Sequence, residues 1–382
     1  MINRDRLAAT FKTLAEIDST SKSENAVASE IVKITSEIGA ETYIDDSASV
    51  TGSDTGNHII KYKGNIKTEP ILLSAHLDTV EPGKGIKAIL KDGVFTSDGT
   101  TILGADDKSA IAIILETLKV VHENNLTCGP IELVLTTCEE IGLVGAKNLD
   151  FSLINAKYGY VLDTADTEGI VIQAPAANQL EYNIYGKDAH AGAFPEEGIN
   201  AITLVSKAIA GLTIGRIDHE TTCNIGIING GVATNIVPGF VSVKGEARSH
   251  NLEKLNKVTE EITSSFRSVI ESYIRTYPGN GVPRLEVNIK NDFPFTNIPV
   301  DHLIVKIAQK AAANLNKQMF CQQSGGGSDA NIFFSKGIIT GVLGTGMKDM
   351  HSVRESIRLD DMITMVELLL EILKLHSLER NI

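Results

Sequence analysis

Cysteine is sparse in this chain. Cys128, Cys138, Cys223 and Cys321 are scattered, with no Cys-x-x-Cys pair and no spacing that reads as a disulfide framework. A reduced, cytoplasmic protein is the expectation. Positive charge is also short, with 35 Lys and Arg against 48 Asp and Glu and a formal net charge of -13. That balance argues against nucleic acid or an anionic membrane as the main partner. No apolar run approaches the roughly 20 residues of a membrane span, and the N-terminal Met1-Ile2-Asn3-Arg4-Asp5-Arg6 leads into an amphipathic pattern, not a signal core. Internal repeats, low-complexity stretches and like-charge tails are missing as well.

What is present is enough for two ordinary globular domains: 382 residues, 42% of them hydrophobic. Residues 5–17 and 24–38 read as helices, with Asp18 to Ser23 offering N-caps for the second and Gly39 closing it. Strands are expected at 41–44, 57–62, 71–75, 131–137 and 158–162, and an all-round apolar helix at 109–121. Alternation of this kind predicts an α/β fold: a doubly wound, mostly parallel sheet. Near Ala174-Pro175 the character changes. Strands at 180–185, 223–228, 240–247 and 285–289, with helices at 199–210 and 252–273, follow the β-α-β-β-α-β order of a ferredoxin-like domain. The expected organisation is a catalytic domain over 1–176 and 292–382, interrupted by an inserted α+β domain over 177–291.

The strand ends carry the chemistry. His76 and Asp78 follow the run 71–75, Glu139 and Glu140 follow 131–137, and Asp163 follows 158–162. Open α/β sheets place their sites past the carboxyl ends of the strands. Taken alone, His-x-Asp is a weak signal; its repetition at three strand ends is what matters. Two nearby divalent cations need a bridging carboxylate and terminal ligands for each, and imidazole with carboxylate suits zinc, cobalt or manganese. His76, Asp106, Glu140, Asp163 and His351 would supply such a set and leave Glu139 free as a general base.

In order along the chain, Ser74-Ala75-His76-Leu77-Asp78-Thr79-Val80, Gly104-Ala105-Asp106-Asp107-Lys108, Cys138-Glu139-Glu140, Asp163 and His351 resemble the motif series of a co-catalytic zinc metallopeptidase family. That family includes peptidase T, glutamate carboxypeptidase and the aminoacylases. The resemblance covers nearly the whole chain and is closest to the peptidase T branch. It implies that His76 and Asp163 hold one metal and Glu140 and His351 the other. Asp106, favoured over Asp107, would bridge them. Asp78 would orient the site, and Glu139 would be the base and proton shuttle.

The segment Gly186 to Gly192 resembles the one whose histidine, here His190, stabilises an oxyanion, in dimeric members from the partner subunit. Asn235 matches a substrate-contacting asparagine. Arg248 at a strand end could pair with a substrate carboxylate or form a surface ion pair, and Gly326 lies in a glycine run that could offer N–H groups to an anion or make a tight turn. Two departures concern the substrate. The chain lacks the long insertion that peptidase T carries after its first metal motif, and Ser324 to Asp329 replaces an arginine-led glycine segment. The resemblance therefore implies a two-metal hydrolase of short peptides, a peptidase T-like tripeptide aminopeptidase that forms a homodimer through the inserted domain. An N-acyl amino-acid deacylase or a carboxypeptidase could use the same site, and a non-catalytic metal-binding scaffold is the remote alternative. The other histidines, His58, His122, His219, His250, His302 and His376, read as surface residues.

Overall fold

The computed structural model describes residues 1–276 and 282–378. The chain forms two compact units: Met1–Gln173 with Thr296–Ser324 and Ser328–Ile382, and Ala174–Phe295 with Gly325–Gly327.

In the first unit the strand Ile71–His76 lies between Ile131–Thr136 and Tyr158–Thr164, all parallel, and Ile339–Gly344 continues the parallel core beyond the last. All six residues of Ile71–His76, and all six of Ile131–Thr136, are buried. This is why they read as unbroken apolar runs: a strand covered on both faces has no polar face to alternate with. Gly159 pairs with Leu72, and a Cβ at Gly159 would come within 1.9 Å of the Leu72 carbonyl oxygen, so this close strand approach requires glycine. The flanks are antiparallel. Glu41–Ile44 and His58–Tyr62 extend one side, and Gly169–Ala174 runs against Ile339–Gly344 on the other. The sheet thus has a parallel centre with antiparallel neighbours on either side, and Phe320–Gln323 adds a parallel strand beyond Gly169–Ala174.

Helix Ala105–Glu123 is buried along most of its length and packs on the central strands, with Arg4–Glu16 and Leu359–Leu378 covering it. It starts four residues before the expected 109, but Asp106 (φ -84°, ψ 99°) and Asp107 (φ -122°, ψ 22°) are non-helical and kink it, so regular helix follows only after the acidic pair. Asp18 to Ser23 do not cap the following helix. Its N-cap is Glu24, whose side chain makes no cap bond. Ser19 instead donates to the Leu77 carbonyl (2.9 Å) and Ser21 to Asp78 Oδ2 (2.6 Å), so these hydroxyls serve the strand end that carries His76. Elements without a strong sequence pattern also appear: strand Phe320–Gln323, helix Asp329–Ser335, and a small sheet of Ile89–Lys91, Val94–Thr96 and Ser356–Arg358. No helix among the described residues is long and apolar enough to cross a membrane.

The second unit is a five-stranded antiparallel sheet. Its long strands lie in the spatial order Thr221–Gly230, Phe240–Ser249, Ala176–Tyr185, Arg284–Phe293, with helices Ala201–Ala210 and Leu252–Thr276 packed on it. Numbered along the chain this order is 2-3-1-4, the ferredoxin-like arrangement. Tyr182 stacks on Phe266 with ring centroids 4.4 Å apart in its core.

Candidate metal centre

The site forms in the first unit, where the parallel strands end. His76 is the last residue of its strand and is buried. Its Nδ1 lies 2.9 Å from the Asp78 carbonyl oxygen. A carbonyl can only accept, so that contact puts the ring proton on Nδ1 and turns Nε2 inward as a ligand atom. His76 Nε2 lies 3.1 Å from Asp106 Oδ1, and the other oxygen, Oδ2, lies 3.2 Å from His351 Nε2. One carboxylate therefore faces two imidazoles, one through each oxygen. His351 Nε2 is also 3.1 Å from Glu140 Oε1.

Ligand atoms of His76, Asp106 and Glu140 all lie within 4.8 Å of one another, as do those of His76, Asp107 and Asp163. The two groups share His76. Asp107, which the resemblance passes over, is fully buried; its Oδ2 accepts the His76 N–H at 3.2 Å, and Oδ1 has no hydrogen-bond partner among the described residues.

Asp78 is fully buried and arranges the turn that carries the glutamates. Its Oδ1 accepts the Glu139 N–H (2.9 Å) and its Oδ2 the Glu140 N–H (3.2 Å). One residue earlier, Glu24 Oε1 accepts the Cys138 N–H at 3.0 Å. Cys138 and His351 both adopt left-handed backbone, with φ of 53° and 58°. For residues with a Cβ this is strained, and the surrounding hydrogen bonds hold it.

The charge balance bears on what the site can hold. Burial first, then neighbouring carboxylates, pushes the Asp163 carboxyl well above the usual carboxylate range; the same two causes raise Asp107 and Glu139, with His76 opposing them. Hydrogen bonding with Asp106 and Glu140 raises the His351 imidazole to about 10. In the protein alone, burial and mutual repulsion favour the protonated forms of these groups. Divalent cations fit the donor set: they would take the place of those protons and give the orphaned Asp107 oxygen and its neighbours a positive centre to face.

His190, Asn235, Arg248 and Gly326 belong to the second unit. His190 pairs with Ile236 in a short antiparallel ladder, and the Ala191 N–H donates to the Asn235 carbonyl at 2.9 Å, which brings His190 beside the asparagine segment. Its Nδ1 accepts the N–H groups of Gly192 (3.2 Å) and Ala193 (3.1 Å), so the neutral ring carries its proton on Nε2. Arg248 does form an ion pair, to Glu246 at 2.9 Å, and its Nη1 also reaches the Gly325 carbonyl oxygen at 3.4 Å. Two histidines expected at the surface, His58 and His376, are instead buried. His376 follows Leu369, Ile372 and Leu373 on the apolar face of the last helix, a spacing that the sequence displays.

A carboxylate shared between two imidazoles, at the mouth of a parallel sheet, is the working end of a metal-dependent hydrolase. The chain belongs to the peptidase family M20/M25/M40, whose model matches residues 72–375, and it is a metallopeptidase. It is 40% identical to the uncharacterised protein YqjE of Bacillus subtilis over 375 residues, 98% of this chain and 99% of that one. Peptidase T of Brevibacillus brevis is 25% identical over 351 residues, 89% of this chain and 82% of its own. Among solved structures, aminopeptidase PepT from Bacillus cereus superposes with a TM-score of 0.89 at 38% identity, covering 99% of this chain and all of the other. A tripeptidase from Staphylococcus aureus gives 0.91 at 36%, with the same coverage. The fold extends to YXEP of Bacillus subtilis, a dinuclear metal binding peptidase, at a TM-score of 0.72 and 18% identity over 97% of this chain and 98% of that one.

Proposed function

We propose that this chain is a cytoplasmic two-metal aminopeptidase that removes the N-terminal residue of short peptides, tripeptides foremost. The observation that carries the reading is Asp106, whose two carboxylate oxygens each face a different imidazole at 3.1 and 3.2 Å. In this reading His76 and Asp163 would hold one cation and Glu140 and His351 the other, with Asp106 as the ligand common to both. Zinc suits these ligands best, with cobalt or manganese as alternatives. Bound there, the cations would supply Lewis acidity to polarise the scissile carbonyl and make water acidic near neutral pH.

The side chains do the rest. Glu139 takes the proton of the attacking water on its carboxylate and passes it to the leaving amine. Asp78 fixes Glu139 and Glu140 through their backbone N–H groups, so the base and a ligand are held by one anchor. His190 donates its Nε2 proton to the carbonyl oxygen as negative charge builds there, a role supported by the acceptor bonds that fix its tautomer. Asn235, Arg248 and backbone N–H groups near Gly326 bind the rest of the peptide, with Arg248 taking its C-terminal carboxylate. The tripeptide preference draws support from the PepT aminopeptidase and the tripeptidase, which superpose along nearly the whole chain.

The active form in this reading is a homodimer through the inserted unit. Supporting it, the strand Thr221–Gly230 leaves Ile227 and Ile228 about half exposed near the edge of its sheet. A monomeric mass by sedimentation, together with full activity, would count against it.

The test of substrate is hydrolysis of Ala-Ala, Ala-Ala-Ala, Ala-Ala-Ala-Ala and N-acetyl-Ala by protein stripped with chelator and reloaded with zinc, cobalt or manganese. Metal-restored cleavage of Ala-Ala-Ala at its N-terminal bond is expected. Cleavage of N-acetyl-Ala alone would keep the metal site and replace the aminopeptidase by a deacylase.

A further inference from the structure

Glu355 has no part in the chemistry described so far, yet it is 1% exposed and its carboxylate is directed at the turn that carries Asp106. Its Oε2 accepts the N–H groups of Leu103 and Gly104, each at 2.7 Å, and its Oε1 accepts the N–H of Asp106 at 2.9 Å. Three backbone donors converge on one side chain because Gly104 adopts φ +75°, a conformation residues with a Cβ rarely take. An anion buried here without these donors would be costly; with them it locks the turn.

The other end of Glu355 is fixed too. Lys348 and Ser356 exchange two backbone hydrogen bonds, at 2.9 and 3.0 Å, which close the base of the loop that carries His351. Glu355 lies just inside that base, its N–H donating to the Ser352 carbonyl at 3.1 Å. The residues after it, Ser356–Arg358, pair with Val94–Thr96. Two ligand-bearing segments about 250 positions apart in sequence are thus joined by one carboxylate.

We infer that Glu355 is a positioning residue for the metal centre: it fixes the backbone of bridging Asp106 against the loop of His351, so that both Asp106 oxygens meet their imidazoles. The inference rests on the two-metal reading. It also predicts more than a fold contact does. A residue that only stabilises the fold would lower the melting temperature of the metal-free protein and leave the zinc affinity of folded molecules unchanged. A positioning residue changes the affinity itself, typically by about 10- to 100-fold when such outer contacts are removed.

The experiment is zinc binding to metal-free full-length protein by competition with a chelating dye, without substrate, for wild type, E355Q and E355D, beside melting curves of the same samples. Folded E355Q is expected to bind at least one zinc about 10- to 100-fold more weakly than wild type. E355D, which keeps the charge but is one methylene short of the three donors, should fall between them. Wild-type affinity in folded E355Q overturns the inference. If E355Q does not fold, wild-type affinity in E355D overturns it, and weakened affinity there supports it. Wild type that binds no zinc, cobalt or manganese would remove the two-metal reading itself, an outcome distinct from equal binding by wild type and variant.

Discussion

At the scale of the residue, Glu139 meets two requirements that pull apart. A base must be ionised to accept a proton, yet burial and the carboxylates around it raise its pKa well above the usual range in the protein alone. Cations held by its neighbours reverse that balance, because a nearby positive charge favours the ionised form. In the proposed mechanism Glu139 would therefore become a competent base only when the ligands around it are filled, which would tie proton transfer to metal loading. Glu139→Gln separates the two functions: it keeps the size of the side chain, removes proton transfer, and leaves the proposed ligand set intact. The variant is expected to retain wild-type metal content by elemental analysis while kcat falls by about 10²- to 10⁴-fold. A variant with near wild-type turnover would remove Glu139 as the base.

At the scale of the element, legibility followed periodicity and reach. The strands Ile71–His76 and Ile131–Thr136, the middle of Tyr158–Thr164 and most of helix Ala105–Glu123 are readable because burial on all sides writes apolar runs into the sequence. The strand Gly169–Ala174 is harder, since its short apolar run follows only a few residues after the previous strand and turns back antiparallel. Phe320–Gln323 is an edge strand with glutamines where an apolar pattern would be sought. The Ile89–Lys91 and Val94–Thr96 pair is signalled by Asp92-Gly93, both with positive φ, but its third strand, Ser356–Arg358, comes from the far end of the chain. The site divides in the same way. His76, Glu139, Glu140 and Asp163 stand out as polar residues at the ends of apolar strands. Asp107 was visible as half of an acidic pair, but its orphaned oxygen needs coordinates. Glu24 and Glu355 act on backbone N–H groups more than 100 positions away, and no local pattern encodes that. Sequence thus displays the residues that offer ligand atoms, and the structure adds the carboxylates that hold their backbones.

At the scale of the whole molecule, buried ionisable groups make stability depend on pH, and His376 allows one such contribution to be isolated. It lies on the buried face of helix Leu359–Leu378, remote in sequence from every proposed ligand, with the Tyr158 hydroxyl 3.2 Å from its Nε2. Burial lowers its pKa from 6.5 to about 4. Between those values the unfolded chain holds a proton on this imidazole and the folded chain does not. The unfolded state binds more protons, so the stability contributed by His376 rises with pH across that window. The cost of keeping the ring neutral is absent above 6.5, grows as the pH falls, and is complete below about 4, where it is on the order of 3 kcal/mol. His58, also buried and also shifted down, acts in the same direction, so wild-type data alone cannot assign the effect. His376→Gln keeps a hydrogen-bonding group for Tyr158 and does not titrate. Urea unfolding of metal-free protein should show wild type losing more stability than this variant between pH 7 and pH 4.5. Equal losses would mean that His376 is protonated in the folded protein, and that the end of the last helix opens to water well before the rest of the core.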